Sequence, residues 1–367
     1  MTSLPLSLLI LSLVLDPFAT LADRVDETVF AALRRGDCPG AVVVVVHKDQ
    51  VILRRAYGFL AVTPSYEPMP VDAIFDLASL TKPVATATAV AILMERGKIA
   101  RTDPVAKYWP AFAAQGKDRI TLGDCLTHTA GLIADNSIKD YVGTREEMLA
   151  RIAALKPDNP PGKKFVYSDV GFLVLGEVVE RVTGQPLDRF TATEIFEPLR
   201  MADTRYRPST NPRIAPTGLR NGAPIRGAVH DPRAFALEGR AGHAGLFGTA
   251  DDLSRYVRCL MRGGELDGVR ILKPESVAAF VKPRPVPGGS RSDGWDVDTS
   301  FSAPRGDRFP RGEGFGHTGF TGTSIWVDPA SQTAVILLTS RLHPNEKGNV
   351  TALRKQIATL VAEAVGR

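Results

Sequence analysis

The chain has 367 residues, 44% hydrophobic and 23% charged, with a formal net charge of +5 and a pI near 9.1. Such a composition suits a globular protein with a large core, and the length suggests about two domains or one with a large insertion. The basic residues are scattered and form no Lys/Arg tract, which argues against a nucleic-acid-binding arm.

The N-terminus, MTSLPLSLLILSLVLDPFATLADRV, carries an apolar run from Leu4 to Leu15. This length suits the hydrophobic region of a signal peptide and is too short for a membrane span. Small residues, Thr20 and Ala22, precede a plausible cut at Asp23, although no basic residue opens the segment. Residues 1–22 are expected to be a leader, and residues 23–367 a periplasmic or secreted protein with no membrane span. A short buried helix is the alternative. Cys38, Cys125 and Cys259 are far apart and form no C-x-x-C pair, so a zinc site or disulfide framework is not expected, and one disulfide stays open.

Ala41–Val46 is a β-branched run of strand length. A polar break at Lys48-Asp49-Gln50 follows, and Val51–Tyr57 resumes the extended pattern. This predicts an antiparallel hairpin whose first strand is covered on both faces. Helices are expected at Leu80–Glu95, Arg145–Leu155, Val170–Val182 (with Gly184 as a stop), Ala250–Met261 and Pro274–Val281. Pro157–Gly162 and Lys282–Gly289 are expected as loops. Strands return at Thr323–Val327 and Thr333–Thr339, joined by the turn Asp328-Pro329-Ala330-Ser331. A last helix is expected within Asn349–Val365.

Strands at both ends with helices between them predict an α+β fold. One antiparallel sheet would be built from both termini and flanked by helices, and the middle would form a mostly helical lobe. The α/β lobe is expected at about 23–80 and 310–367, the helical lobe at about 81–309, with the site in the cleft between them.

Three short segments carry chemistry. Ser79-Leu80-Thr81-Lys82 puts a serine and a lysine on one helix face. The plain alternative is a helix cap followed by a surface lysine. A serine hydroxyl needs a group to take its proton, and a lysine can do so only when neutral, which desolvation favours. The flanks, Leu77, Ala78, Leu80, Pro83, Val84 and Ala85, are apolar. Tyr167-Ser168-Asp169 opens an apolar helix, where a tyrosine can relay protons and Ser168 or Asp169 can cap. His317-Thr318-Gly319 lies at a strand, where a cation-capable side chain beside a glycine can hold an extended substrate and its carboxylate. Gly314, Gly316 and Gly319 also match G-x-G-x-x-G, but no strand–turn–helix surrounds them, so no dinucleotide site is expected.

With these motifs in this order, the chain resembles the penicillin-recognising serine hydrolases, and within them class C β-lactamases, D-alanyl-D-alanine carboxypeptidases and related esterases. DPVAKYWPAF (103–112), TLGDCLTHTAGL (121–132) and GHAGLFGTADDLSRY (242–256) look like scaffold signatures of the same group. The resemblance runs from about Pro39 to the C-terminus and implies a β-lactamase/transpeptidase-like fold. It implies Ser79 as acylated nucleophile, Lys82 as its base, Tyr167 as a second acid/base, and Asp169, His317, Thr318 and Gly319 as substrate-binding residues. The oxyanion would be held by the N–H groups of Ser79 and Phe320. Neither metal nor organic cofactor is implied, and the partner is a small-molecule or peptide substrate, cell-wall-derived ones included.

Two positions depart from many relatives. Asp169 replaces an asparagine, which exchanges an amide for an acceptor-only carboxylate. It could hold Lys82 charged, and it argues against efficient β-lactam turnover. His317 replaces a lysine and would be fully charged only at lower pH. Carboxypeptidase- or esterase-like acyl transfer is therefore ranked above a β-lactamase proper, and above a non-catalytic penicillin-binding module.

Of the remaining residues, His128, His230 and His243 with Asp231 lack zinc spacing. His128 is expected to be structural, and His230 and His243 to hold the Gly-rich loop around residues 227–248. Trp109, Trp295 and Trp326 are expected to pack, with Trp295 in possible reach of substrate.

Overall fold

The computed structural model describes residues 17–367; the apolar run Leu4–Leu15 lies outside the described residues. Helix α1 (Pro17–Arg35) crosses the predicted cut before Asp23, and its Leu21, Val25 and Val29 are buried.

Strands β1 (Gly40–His47) and β2 (Gln50–Ala61) form the expected hairpin. Lys48 and Asp49 make the two-residue turn, both at positive φ, the twist that suits a tight hairpin. Val42, Val44 and Val46 point into one core and Ala41, Val43 and Val45 into another. The unbroken valine run thus reflects a strand covered on both faces. Each fully buried valine contributes about 1.5–3 kcal/mol of apolar transfer.

The main sheet continues through β3 (Glu67–Pro68), β4 (Arg284–Val286), β5 (Gly289–Arg291), β6 (Asp296–Asp298), β7 (Phe315–Thr318), β8 (Ser324–Asp328) and β9 (Thr333–Thr339). Its order is β4-β5-β6-β7-β8-β9-β1-β2-β3, and every neighbouring pair is antiparallel. Both chain ends meet in its centre, where β1 pairs with β9. Two expectations change here. Lys282–Gly289 is not a loop but supplies β4 and the start of β5. The sheet also takes strands from 284–298, a stretch expected in the helical lobe. These strands are three residues long, too short for a periodic signal.

One face of the sheet is covered by α1 and by the C-terminal helix, Thr351–Ala364, through Leu353, Ile357 and Val361. The other face carries the larger core and the helical lobe. The helices found at Arg145–Ala153, Asp169–Thr183, Ala250–Met261 and Pro274–Val281 match the expected segments within a few residues. Gly184 ends its helix in the left-handed conformation, as a C-terminal stop requires. All three cysteines are free and buried. Trp295 is fully buried against Tyr256 and Phe315, so it packs and does not reach the cleft. Among the described residues no helix is long and apolar enough to cross a membrane.

Candidate active site

Ser79 stands on a single tight turn, Ala78–Leu80, directly before a wide π-type segment, Lys82–Ala87, and the helix Thr88–Glu95. Ala78 has φ +47°, a conformation that non-glycine residues rarely adopt. Asp76 stabilises this turn by accepting the Ala78 N–H at 2.9 Å, and it also accepts the His230 N–H at 2.7 Å. Lys82 is fully buried, which excludes the surface-lysine alternative. Its Nζ donates to Ser79 Oγ at 2.9 Å and to the His243 carbonyl at 3.1 Å, and pairs with Asp169 Oδ1 at 2.6 Å. Burial alone would lower the lysine pKa. The charge of Asp169, with a further contribution from the adjoining Tyr167 side chain, outweighs it, so the pKa is raised and Lys82 is held as ammonium.

Tyr167 lies under Lys82, with its ring centroid 4.9 Å from Nζ. Its ring packs, tilted, 4.5 Å from that of His128 and 5.1 Å from that of Phe301, centroid to centroid. His128 is structural as expected: its Nδ1 accepts the Ser168 N–H at 3.0 Å. Ser168 caps the following helix by accepting the Gly171 N–H at 3.1 Å. Asp169 is thereby the first helical residue, which brings it beside Lys82 at the helix N-terminus.

His317, Thr318, Gly319 and Phe320 line the opposite wall of the same cleft, which has a volume of about 630 Å³. Two threonines tie this wall to the nucleophile turn. Thr321 Oγ1 donates to the Asp76 carbonyl at 2.7 Å, and Thr323 Oγ1 to the Leu77 carbonyl at 3.0 Å. A Cβ on Gly319 would lie 2.1 Å from Thr323 Oγ1 and 2.6 Å from the Leu77 carbonyl oxygen, so only glycine fits. Arg354, from the C-terminal helix, donates to the carbonyls of Gly319 (2.9 Å) and Thr323 (2.8 Å). Arg341 donates to the Phe320 carbonyl at 2.7 Å.

His317 differs from the expectation of a carboxylate-binding cation. It is buried, and its Nδ1 lies 2.8 Å from the Thr318 carbonyl, which can only accept. Burial, then the Arg291 and Lys82 charges, push its pKa well down. The ring is neutral, with Nδ1 protonated and Nε2 left as an unpartnered acceptor. Arg291, Arg341 and Arg354 are cations that line this cleft, and the sequence reading missed them, as it did Asp76 and Phe301. None of these belongs to a motif. Asp76, two residues before the Ala78 turn, had the one available signal, as a side chain able to cap a turn.

The Gly-rich loop is held by His243 Nε2 against Asp231 Oδ1 at 3.0 Å. Thr86 Oγ1 also donates to the Gly242 carbonyl at 2.7 Å. Ligand atoms of Asp169, Asp231 and His243 lie within 4.8 Å of one another. Lys82 Nζ occupies Asp169, however, and an ammonium there repels a cation. His128 and His230 are not part of that group.

A sheet built from both chain ends, a helical lobe and a serine–lysine–tyrosine cleft between them define the class: a hydrolase of the serine β-lactamase-related kind. A family model described as Beta-lactamase matches residues 25–360, and the chain belongs to that family. An N-acetylmuramyl-L-alanine amidase of Bacillus subtilis (strain 168) is 31% identical over 89% of this chain and 83% of its own length. A protein of Salmonella schwarzengrund (strain CVM19633), provisionally named D-alanyl-D-alanine carboxypeptidase, is 32% identical over 83% of this chain and 79% of its own. The structure of EstCE1, a hydrolase with promiscuous acyltransferase activity, superposes with a TM-score of 0.77 at 24% identity, covering 94% of this chain and 99% of that one, which shows the shared fold.

Proposed function

We propose that the chain is an exported serine hydrolase that forms an acyl-enzyme on Ser79, with carboxypeptidase- or esterase-type substrates, peptidoglycan-related peptides among them. The observation that carries this reading is Ser79 Oγ at 2.9 Å from a fully buried Lys82 Nζ in the wall of a substrate-sized cleft. The names of the amidase and carboxypeptidase relatives support the substrate class.

In the resting site Lys82 is a donor, so it must first lose a proton. Asp169, 2.6 Å away, is the acceptor. A substrate that covers Asp169 removes water from it, and in a dry pocket an amine and a carboxylic acid compete well with the ion pair. Neutral Lys82 then takes the Ser79 proton as Oγ attacks the acyl carbon. The oxyanion is held by the N–H groups of Ser79 and Phe320. As the carbonyl re-forms, the bond to the leaving group breaks, and Tyr167 or Lys82 supplies the proton. Water then cleaves the acyl-enzyme by the reverse path.

The test is labelling by a fluorophosphonate and by a fluorescent penicillin, followed by intact mass. Wild type gains the probe mass on Ser79, and Ser79→Ala does not; a mutant that still labels overturns the assignment. The charged Lys82–Asp169 pair favours a second reading for one substrate class. β-Lactams would acylate Ser79 and be held, not turned over. Nitrocefin turnover as fast as acylation would exclude it.

A further inference from the structure

Outside the cleft lies a second cavity, of about 280 Å³, that shares no lining residue with it. Its floor is one stripe of the helix Thr88–Glu95 and the residue before it: Ala87, Val90, Ala91 and Met94. These positions recur every three or four residues and so face one way. From Ala87 to Met94 the stripe covers about 10 Å of helix axis. Ala279 and Phe280, from the helix Pro274–Val281, form the opposite wall. Ala87 closes the wide segment that begins at Lys82, so the groove runs along the continuation of the segment that carries the base.

The two ends of the groove differ in charge. At one end Glu95 Oε2 accepts the Lys273 N–H at 2.7 Å, and Glu95 and Glu275 make this end acidic. At the other end the Asp293 N–H donates to the Phe280 carbonyl at 3.2 Å and the Gly294 N–H to the Leu126 carbonyl at 3.1 Å. A Cβ on Gly294 would lie 2.6 Å from that of Ala87, which fixes this end against the start of the stripe.

Here two guanidiniums share one carboxylate. Asp293 Oδ1 accepts from Arg101 Nε at 3.0 Å and from Arg284 Nε at 3.1 Å. The Nη2 groups go to Asp293 Oδ2 and to the carbonyls of Gly123 and Ala279. Among the described residues, neither Nη1 has a hydrogen-bond partner. Asp293 is buried, while the side chains of Arg101 and Arg284 are 32% and 25% exposed. Two cations against one anion leave an excess positive charge at the end of an apolar groove. A neutral chain would leave that excess unmet, and a cation would be repelled by it.

We propose that this groove binds a medium-chain aliphatic carboxylate, its head beside Arg101 and Arg284 and its chain along the stripe from Ala87 to Met94. The acidic far end excludes the reverse orientation. This site is separate from the cleft and does not depend on what the cleft hydrolyses.

The probe is sodium octanoate, titrated against the full chain by ligand-detected NMR, with 1-octanol and octylammonium as arms of equal chain length. Octanoate is expected to bind with a Kd of about 1 mM or tighter, as suits so small a ligand. It should bind at least about fivefold more tightly than either arm, the scale of a charge-assisted hydrogen bond at a part-exposed site. Because Asp293 is shared, Arg284→Gln leaves it paired with Arg101; circular dichroism and melting temperature check that the variant folds. It has no excess charge at this end, and octanoate should then bind no better than octanol. Ala279→Phe, at an exposed position, fills the groove with the arginines intact and should abolish binding of all three. Octanol or octylammonium binding as tightly as octanoate, no saturable binding of octanoate, or octanoate binding unchanged in either variant overturns the site.

Discussion

Lys82 Nζ lies 2.6 Å from Asp169 Oδ1, and the two differ in access to water: the lysine is fully buried, while the Asp169 side chain is 21% exposed. The charge state of the base is therefore set by a group that a substrate can cover. In the Asp169→Asn variant the leading influence that raises the lysine pKa is gone, and burial, which lowers it, remains. The acidic limb of the kcat/KM profile, along which the lysine must lose its proton, should move to lower pH. At pH 7 acylation should quicken by about tenfold for each pH unit of that movement. In wild type the raised lysine pKa adds stability that is lost as pH rises through it. In the variant a charged, unpaired Lys82 would cost about 3–5 kcal/mol at low pH, relieved as pH rises and the amine deprotonates. A pH profile identical to wild type would refute this account.

Tyr167 is held by tilted ring contacts with His128 and Phe301, which do not involve its hydroxyl. Tyr167→Phe should keep the melting temperature within a degree or two. A proton-relay role predicts a kcat loss of about 10²–10⁴-fold with KM little changed. The loss should be smaller for an ester with a good leaving group, such as p-nitrophenolate, which needs no proton. Equal losses on both leaving groups would assign the hydroxyl to positioning.

Arg354 donates to the carbonyl of the very peptide unit whose N–H, that of Phe320, is the proposed oxyanion donor. A charged donor on the carbonyl polarises the peptide and strengthens its N–H. Arg354→Gln should lower kcat by roughly tenfold with KM nearly constant, because the effect is on the transition state. Arg354→Lys should recover part of it. A change confined to KM would show that Arg354 only shapes the cleft.

Asp76 is buried beneath the nucleophile turn, and burial pushes its pKa up to about 6 despite the N–H groups of His230 and Ala78. Between the ordinary aspartate value, about 4, and about 6, the native state keeps a proton that the unfolded chain releases. Its contribution to stability therefore falls as pH rises through that window. Asp252, also pushed up to about 6, acts with the same sign. The loss from Asp76 should be roughly 2–3 kcal/mol across the window. Urea unfolding at pH 4.5 and 6.5 measures it, and Asp76→Asn should lessen the difference. A difference as large in the variant would place the titration elsewhere.

The fold was legible where the chain repeats a local pattern. The valine run of β1 showed its two-sided burial, and Gly184 marked its helix end. The strands β4 to β6 were not legible: each is too short for alternation to register, and they exist because β7 offers them an edge. The same contrast holds in the cleft. The positions of Ser79, Lys82 and Tyr167 could be read because each carries its own local context.

What the sequence determined by itself was the order of the motifs, the helices between them, and the acidic residue at position 169. Spacing and residue type are local properties, and a turn of helix suffices to set Ser79 beside Lys82. Only the tertiary structure decided the charges. It buried Lys82 against Asp169, made His317 a neutral acceptor, and placed Arg291 in the cleft wall. Burial and Coulomb fields come from residues up to hundreds of positions apart, which no short segment can announce.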